Sequence, residues 1–389
     1  MRVFILGAGI GGATAAIALA RRNIEVIVCE RAPEPREVGA GISLWGNALL
    51  ALRAIGVEQD VLARGERVRG AQIRTPTGRV LSRDDPAWVE ARIGAPALLM
   101  IHRADLLDAL LSRTAPGTVR FGKECVGVDP GSELEPASVR FSDGSVERAD
   151  LVLGADGIRS VVRREIVNDG EPRYAGYTCW RGICDFPESD WPAGLTAEIW
   201  GRGKRIGITR LPGGRVYWWA AANAPRGGRA PDERAALLAL YHDWAPPVPS
   251  LIEQTPANAI LRNDIEDRPP LTPSRWSRAR VLLLGDALHP TTPNLGQGGC
   301  MAIEDCVILA RCLAERTEPS QWLRIRAAID EYTSRRAPRT ARITTTSRYF
   351  GMLGHWTNPI ACAARNTALA LTPKRLPSKQ ALRLMRVEF

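Results

Sequence analysis

The chain predicts an α/β fold: a Rossmann-like parallel sheet with helices on both faces, an inserted antiparallel sheet, and helices at the C-terminal end. Three observations carry this expectation. Short apolar runs stop at Gly or Ala-Asp-Gly signals in three distant places, after Val3–Leu6, Leu151–Leu153 and Val281–Leu284. A helical segment follows each, as in a parallel sheet buried on both faces. Residues 173–265 then switch to alternating, aromatic-rich segments broken by glycine-rich turns, the pattern of an antiparallel sheet.

The first strand, Val3–Leu6, runs into Gly7-Ala8-Gly9-Ile10-Gly11-Gly12 and an Ala-rich helix to about Arg22. The second strand, Val26–Cys29, ends on Glu30. Glycines in this G-x-G-x-x-G spacing permit a tight turn, close approach of a pyrophosphate and tight helix–strand packing. An acid about 20 residues on accepts from ribose hydroxyls. Glu30 also disfavours a phosphate on that ribose, and NAD and FAD both satisfy the pattern. The apolar run from Met1-Arg2 to Ala20 imitates a signal peptide, but cleavage would destroy a complete βαβ unit. With no other run of membrane-spanning length, the chain reads as cytoplasmic.

Val38–Ser43 reads as a loop, and a helix with Leu49, Leu50 and Leu52 follows and stops at Gly56. His102–Asp105 opens a helix whose apolar side is Leu106, Leu107, Leu110 and Leu111. Strands are expected at Val119–Phe121, Val126–Val128 and Val139–Phe141, the last closed by an Asp143-Gly144 turn. Leu151–Gly154 leads through Asp156-Gly157 to a helix reaching about Val167. In the insert, Tyr174–Cys184, Ala197–Trp200, Arg205–Leu211 and Val216–Ala222 are strands, with Tyr217 and Trp219 on one face and Trp218 on the other.

Val281–Leu284 ends at Gly285-Asp286, then come Pro290, Pro293 and Gly296-Gln297-Gly298-Gly299. A helix is expected from about Cys300 with Ile303, Val307, Ala310 and Ala314 along one stripe. A helix start there favours an electron-rich group beyond the strand end. From about Gln321 the chain reads as helices broken at Pro338, Pro359 and Pro373. The expected domains are 1–172 (with an excursion toward the substrate side near 70–100) and 266–340 for the nucleotide fold, 173–265 for the insert, and 341–389 for a C-terminal helical segment.

Composition excludes several classes. At 389 residues, with 45% hydrophobic and 24% charged content, the chain is an ordinary globular enzyme. Its eight cysteines form no C-x-x-C pair, and with four scattered histidines they give no zinc set, so no metal is expected. The net charge of +10 gathers at Arg335, Arg336, Arg339 and Arg342 and at Lys374, Arg375, Lys379, Arg383 and Arg386. Without interleaved aromatics this does not read as nucleic-acid binding. It reads as solvated faces that attract anionic cofactors, with contact between the basic tail and a membrane as the secondary reading.

Gly7–Gly12 with Glu30, Asp156-Gly157, and Gly285-Asp286 with Pro293 and Gly296–Gly299 together resemble the single-component FAD-dependent monooxygenases of the para-hydroxybenzoate hydroxylase type. The likeness covers essentially the whole chain. Within that family, NLGQGGCMAIED and AILRNDIEDRP resemble zeaxanthin epoxidase and its bacterial relatives. Tyr174–Tyr177 and Gly203-Lys204-Arg205 resemble FAD-dependent urate hydroxylase.

The resemblance implies FAD, with NADPH or NADH as reductant, and O₂ as co-substrate. Gly7, Gly9 and Gly12 would hold the pyrophosphate, Glu30 the ribose with Arg31 beside it, and Arg103 would lie near phosphate or flavin. Asp156 and Gly157 would serve FAD and NAD(P)H, Asp286 the ribityl region, and Pro293, Gly296, Gly298 and Gly299 the isoalloxazine. A flavin hydroperoxide would then hydroxylate or epoxidise an electron-rich aromatic or isoprenoid small molecule. Arg205 and Tyr217 fall at substrate-orienting positions of the urate hydroxylases, but their aspartate is Asn294 here, which counts against urate. His289, in the flavin loop, reads equally as a hydrogen-bonded loop residue. An FAD-dependent reductase or desaturase of a lipid-like substrate, or a flavin-binding relative without catalysis, would use the same cofactor residues.

Overall fold

A computed structural model of the chain describes residues 1–35, 40–373 and 375–389. Strand Arg2–Leu6 lies between Glu25–Cys29 and Leu151–Gly154, with Val281–Leu283 beyond the latter. Short strands Val119–Arg120 and Ser277–Arg278 close the two edges of this six-stranded sheet. The four central strands are parallel and their register is level: Leu6 faces both Cys29 and Gly154, and Gly154 faces Leu283. Four loops therefore leave the sheet from one line. Val3, Phe4 and Ile5 are fully buried, as are Leu151, Val152 and Leu153 beside them, as the unbroken apolar runs require.

Helices Ile10–Ala20 and Gly298–Ala314 pack against each other beside this sheet. The second starts at Gly298, two residues before the expected Cys300. It also lacks a one-sided stripe. Ala314 is exposed, whereas Cys300–Ala310 is buried on every side, because three helices surround it: Ile10–Ala20, Gly46–Ala54 and Gln321–Gly354. Two acids, Glu304 and Asp305, are buried within it.

A seven-stranded sheet stands beyond the cleft, in the order Leu261–Asp267, Arg173–Asp185, Arg215–Asn223, Lys204–Arg210, Leu195–Trp200, Gly70–Arg74, Val80–Asp84. Its core strands are antiparallel, but Gly70–Arg74 joins Leu195–Trp200 in parallel. Trp218 faces a core with Trp180, Tyr241 and Trp244, while Tyr217 packs on the opposite side with Val68 and Met100. Helices Glu233–Tyr241 and Val248–Gln254 cover the Trp218 side, so this region is not sheet alone.

Two expectations are corrected. Gly41–Trp45 is a strand rather than a loop, paired antiparallel with Leu98–His102; Val38 and Gly39 lie outside the described residues, as does Lys374. Pro338 does not end a helix, for Gln321–Gly354 runs through it. Proline removes one helical donor, and the acceptor it strands belongs to Ser334 on the exposed side of the helix, open to solvent. Pro359 does open a new helix, Pro359–Leu371. Among the described residues no helix is long and apolar enough to cross a membrane.

Candidate active site

The level strand ends bring Gly7, Glu30, Asp156-Gly157 and Gly285-Asp286 to one edge. Gly7 has φ +106°, and a Cβ there would stand 2.6 Å from the Ala155 carbonyl oxygen, so the first and third loops touch. A Cβ on Gly12 would collide with the Gly7 carbonyl, which explains the helix's close approach to the strand. Gly9 differs, since a Cβ there would meet nothing within 4 Å. Its open backbone caps Ile10–Ala20 with no side-chain partner, leaving helix-start N–H groups facing space. Glu30 accepts from the Ala8 N–H at 2.8 Å and the Ala32 N–H at 2.9 Å, which fixes its carboxylate beside that turn with lone pairs to spare. Arg31 is exposed next to it. Bare glycine backbone, an uncapped helix start and an anchored acid are what the pyrophosphate and ribose of FAD need.

Asp156 is turned toward its own helix. It accepts from Ser160 Oγ at 2.5 Å, Val161 N at 2.7 Å and Val162 N at 3.2 Å. Burial pushes its carboxyl up, against these donors. Asp156 thus holds its loop in place, and Gly157, at φ +81° with open space where a Cβ would be, presents backbone to the cleft. Asp286 is open to solvent, yet protein surrounds it closely enough to raise its carboxyl above the ordinary range; His289 and Arg103 pull it back. Arg103 is exposed and near enough to Asp286 for its charge to be felt there. Gly296 has φ +61°, and a Cβ would stand 2.6 Å from Ser43 Oγ, so the Pro293–Gly299 loop lies against strand Gly41–Trp45. No side chain caps the helix that starts at Gly298.

Beneath this loop lies a buried ionic network. Glu304 receives Arg336 Nη1 at 2.6 Å, Arg339 Nη2 at 2.6 Å and Asn47 Nδ2 at 2.5 Å. Asp305 receives Arg336 Nε at 2.7 Å, His289 Nε2 at 2.7 Å and the Gly285 N–H at 3.1 Å. Burial alone would raise both carboxyls, but the facing cations win and hold them below the ordinary range. Asn47 also donates to Gln297 Oε1 at 3.0 Å. The network therefore fixes both ends of the loop, Gly285 and Gln297. Arg336 is fully buried, contrary to the expectation that its basic cluster forms solvated faces, whereas Arg335 and Arg342 are exposed. The acids at Glu304 and Asp305, embedded in an apolar run, are the sequence signal that cations must meet them.

On the opposite wall, Arg205 is buried and donates to Asn294 Oδ1 and to Glu198 Oε2, the latter at 3.3 Å. Tyr177 donates to the same Asn294 oxygen at 3.1 Å, and Asn294 Nδ2 donates to Thr292 Oγ1 at 2.8 Å and the Ser347 carbonyl at 2.9 Å. His355 stacks on Tyr177 with ring centroids 4.0 Å apart. The Arg205 guanidinium lies 4.9 Å from the Trp219 ring centre. Tyr217 stands apart from this cluster: it packs against Gly41, where a Cβ would strike its ring, and burial raises its phenol against the pull of Arg181. Tyr177 belongs to the Tyr174–Tyr177 stretch that resembles urate hydroxylase, though that stretch assigns it no role; nothing in the local pattern of Arg181 or His355 separates them from core.

A family model described as FAD binding domain matches residues 1–177 and 254–347. The chain is 41% identical to aurachin C monooxygenase/isomerase of Stigmatella aurantiaca, over 95% of this chain and 94% of that protein. It is 35% identical to 2-heptyl-3-hydroxy-4(1H)-quinolone synthase of Pseudomonas aeruginosa, over 96% of this chain and 94% of that protein. Klebsiella pneumoniae HpxO, solved with FAD and uric acid, superposes with a TM-score of 0.91 at 30% identity, covering 99% of this chain and 96% of that one.

Proposed function

The chain belongs to the FAD-binding-domain family and is an FAD-dependent monooxygenase, and from that premise we propose that it uses NAD(P)H and O₂ to hydroxylate or epoxidise an electron-rich ring carbon of a 4-quinolone-like aromatic compound. One observation supports the reading: the second sheet reaches the loop that follows Gly285-Asp286, where Arg205 and Tyr177 meet Asn294, while Tyr217 packs on Gly41 of the strand against which that loop lies. The similarity to the 2-heptyl-3-hydroxy-4(1H)-quinolone synthase of Pseudomonas aeruginosa supports the quinolone class.

Bound FAD, reduced by NAD(P)H, supplies the electrons that split O₂, one oxygen entering the substrate and the other leaving as water. Gly7, Gly9, Gly12 and Glu30 would hold its nucleotide half, and Gly157, Asp286 and the Pro293–Gly299 loop the remainder. The N–H groups at the start of Gly298–Ala314 favour negative charge in the cradle. Arg205 and Tyr217 would orient the substrate, with Asn294 supplying an uncharged acceptor to Arg205. An amide there cannot serve as the ionised base that an aspartate would supply, which counts against urate as the substrate. Apolar neighbours, Trp219 above all, would keep water from the reacting atoms.

The test is purification with FAD followed by a screen of 2-alkyl-4-quinolones, phenols, polyenes and purines. Quinolones should stimulate NAD(P)H oxidation with little H₂O₂, and label from ¹⁸O₂ should appear in the product. Turnover that continues without oxygen, or a protein that takes up no FAD, defeats the proposal.

A further inference from the structure

Helix Pro359–Leu371 is inverted relative to an ordinary surface helix. Its one charge, Arg365, is 4% exposed and donates inward to the carbonyls of Leu353 and Gly201, both at 3.1 Å. Its outward residues are uncharged and mostly apolar: Ile360 is 79% exposed and Leu371 77%, with Ala363, Ala364, Thr367, Ala368 and Ala370 between them. Surface helices ordinarily put charge outward and apolar residues in. The exposed apolar area continues onto the end of helix Gln321–Gly354 and its cap region, through Tyr349, Met352 and Trp356, at helical spacing.

Beside it runs Leu376–Met385, with Arg375, Lys379 and Arg383 exposed at four-residue intervals and Arg386 beyond. Among the described residues none of these four makes an ion pair. Both helices pack on the same edge strand, Val80–Asp84, which brings the apolar and the cationic helix to one edge of the seven-stranded sheet. Between Glu331 and Glu388 the sequence holds no acidic residue at all.

We propose that these C-terminal helices form a docking surface for an anionic phospholipid membrane. An apolar strip bordered by unpaired cations matches the boundary between acyl chains and anionic headgroups. A second copy of the chain fits poorly, because self-association would bring the Arg375, Lys379 and Arg383 row against its own copy, and neither helix carries an acid of its own to offset it. No helix crosses a bilayer, so the contact is peripheral. The surface is separate from the cofactor cradle and stands or falls independently of the proposed substrate.

The experiment is co-sedimentation of the FAD-loaded protein with vesicles of phosphatidylcholine alone, or of phosphatidylcholine with phosphatidylglycerol. Binding is expected to the mixed vesicles and to weaken as salt is raised. Ile360→Asp combined with Leu371→Asp, and separately Arg375→Glu with Lys379→Glu and Arg383→Glu, should each reduce partitioning about tenfold or more. Bound-flavin absorbance and the melting temperature report that each variant is folded. Absence of wild-type binding to the mixed vesicles overturns the proposal, as does equal binding to neutral vesicles or binding that neither folded variant weakens. A wild-type dimer broken by the Ile360 and Leu371 changes, without vesicle binding, would assign the surface to self-association instead.

Discussion

Arg336 joins Glu304 at 2.6 Å, and solvent reaches neither side chain. This pair and the Asp305 contact clamp Gln321–Gly354 onto the helix behind the flavin loop. Removing one partner of a buried pair leaves the other charge uncompensated. Arg336→Leu should therefore destabilise the protein by about 3–5 kcal/mol, read from denaturant midpoints. Arg336→Lys should recover little, since one ammonium cannot serve both carboxylates in the guanidinium's geometry.

The same network sets an acid limit. Glu304 and Asp305 titrate below the ordinary carboxylate range when folded. Their contribution is fully present above the unfolded carboxylate value of about 4 and lost as pH falls through the folded values. Urea midpoints measured against pH should drop steeply below about pH 4. The drop should be shallower in Asp305→Asn, which starts from a less stable protein.

His355 gives a second window that begins at higher pH. Its Nδ1 lies 2.8 Å from the Gly351 carbonyl, which makes Nδ1 the protonated nitrogen. Burial, with Arg205 nearby, pushes its pKa down to about 3. An unfolded chain takes up that proton near 6.5, so stability is complete above about pH 6.5 and declines toward pH 3. The ring's NMR resonances should stay those of a neutral imidazole down to about pH 4, and His355→Gln should remove this part of the decline.

Two glycines separate folding from cofactor binding. A Cβ at Gly12 would strike the Gly7 carbonyl, whereas one at Gly9 would point into empty space. Gly12→Ala should lower the melting temperature of the FAD-free protein. Gly9→Ala should leave it unchanged while weakening FAD by about tenfold or more, since the methyl occupies the room a pyrophosphate needs. Equilibrium titration by flavin fluorescence distinguishes the two.

Asn294 makes hydrogen bonds with Arg205, Tyr177, Thr292 and the Ser347 carbonyl. Asn294→Ala frees a buried guanidinium and phenol. It should lower kcat/KM about tenfold or more, with a larger share of NAD(P)H electrons appearing as H₂O₂. Unchanged coupling of oxidation to product would argue that the cluster is only structural.

Much of the fold was readable because parallel strands announce themselves as apolar runs and their ends as Gly and Asp. Glu30, Gly157 and Asp286 could be placed together from that alone. What stayed hidden depends on partners distant in sequence. Gly41–Trp45 is a strand because Leu98–His102 lies beside it, and Arg336 is buried because two acids over 30 residues earlier need it. Pro338 misled because propensity knows nothing of which side of a helix meets water. Asp156 could be located but not oriented, since an acid at a strand end can turn to a ligand or, as here, to the start of its own helix without any change in the local pattern.

The level register of the four central strands has a consequence for biogenesis. Leu6, Cys29, Gly154 and Leu283 reach their common line only after the last of these strands has docked. During translation the early G-x-G-x-x-G unit waits, unfinished, while most of the chain is still being made. Capture of the nucleotide belongs to the end of assembly, and whatever slows docking of Val281–Leu283 should show first as a shortage of coloured holoprotein, before any loss of total polypeptide.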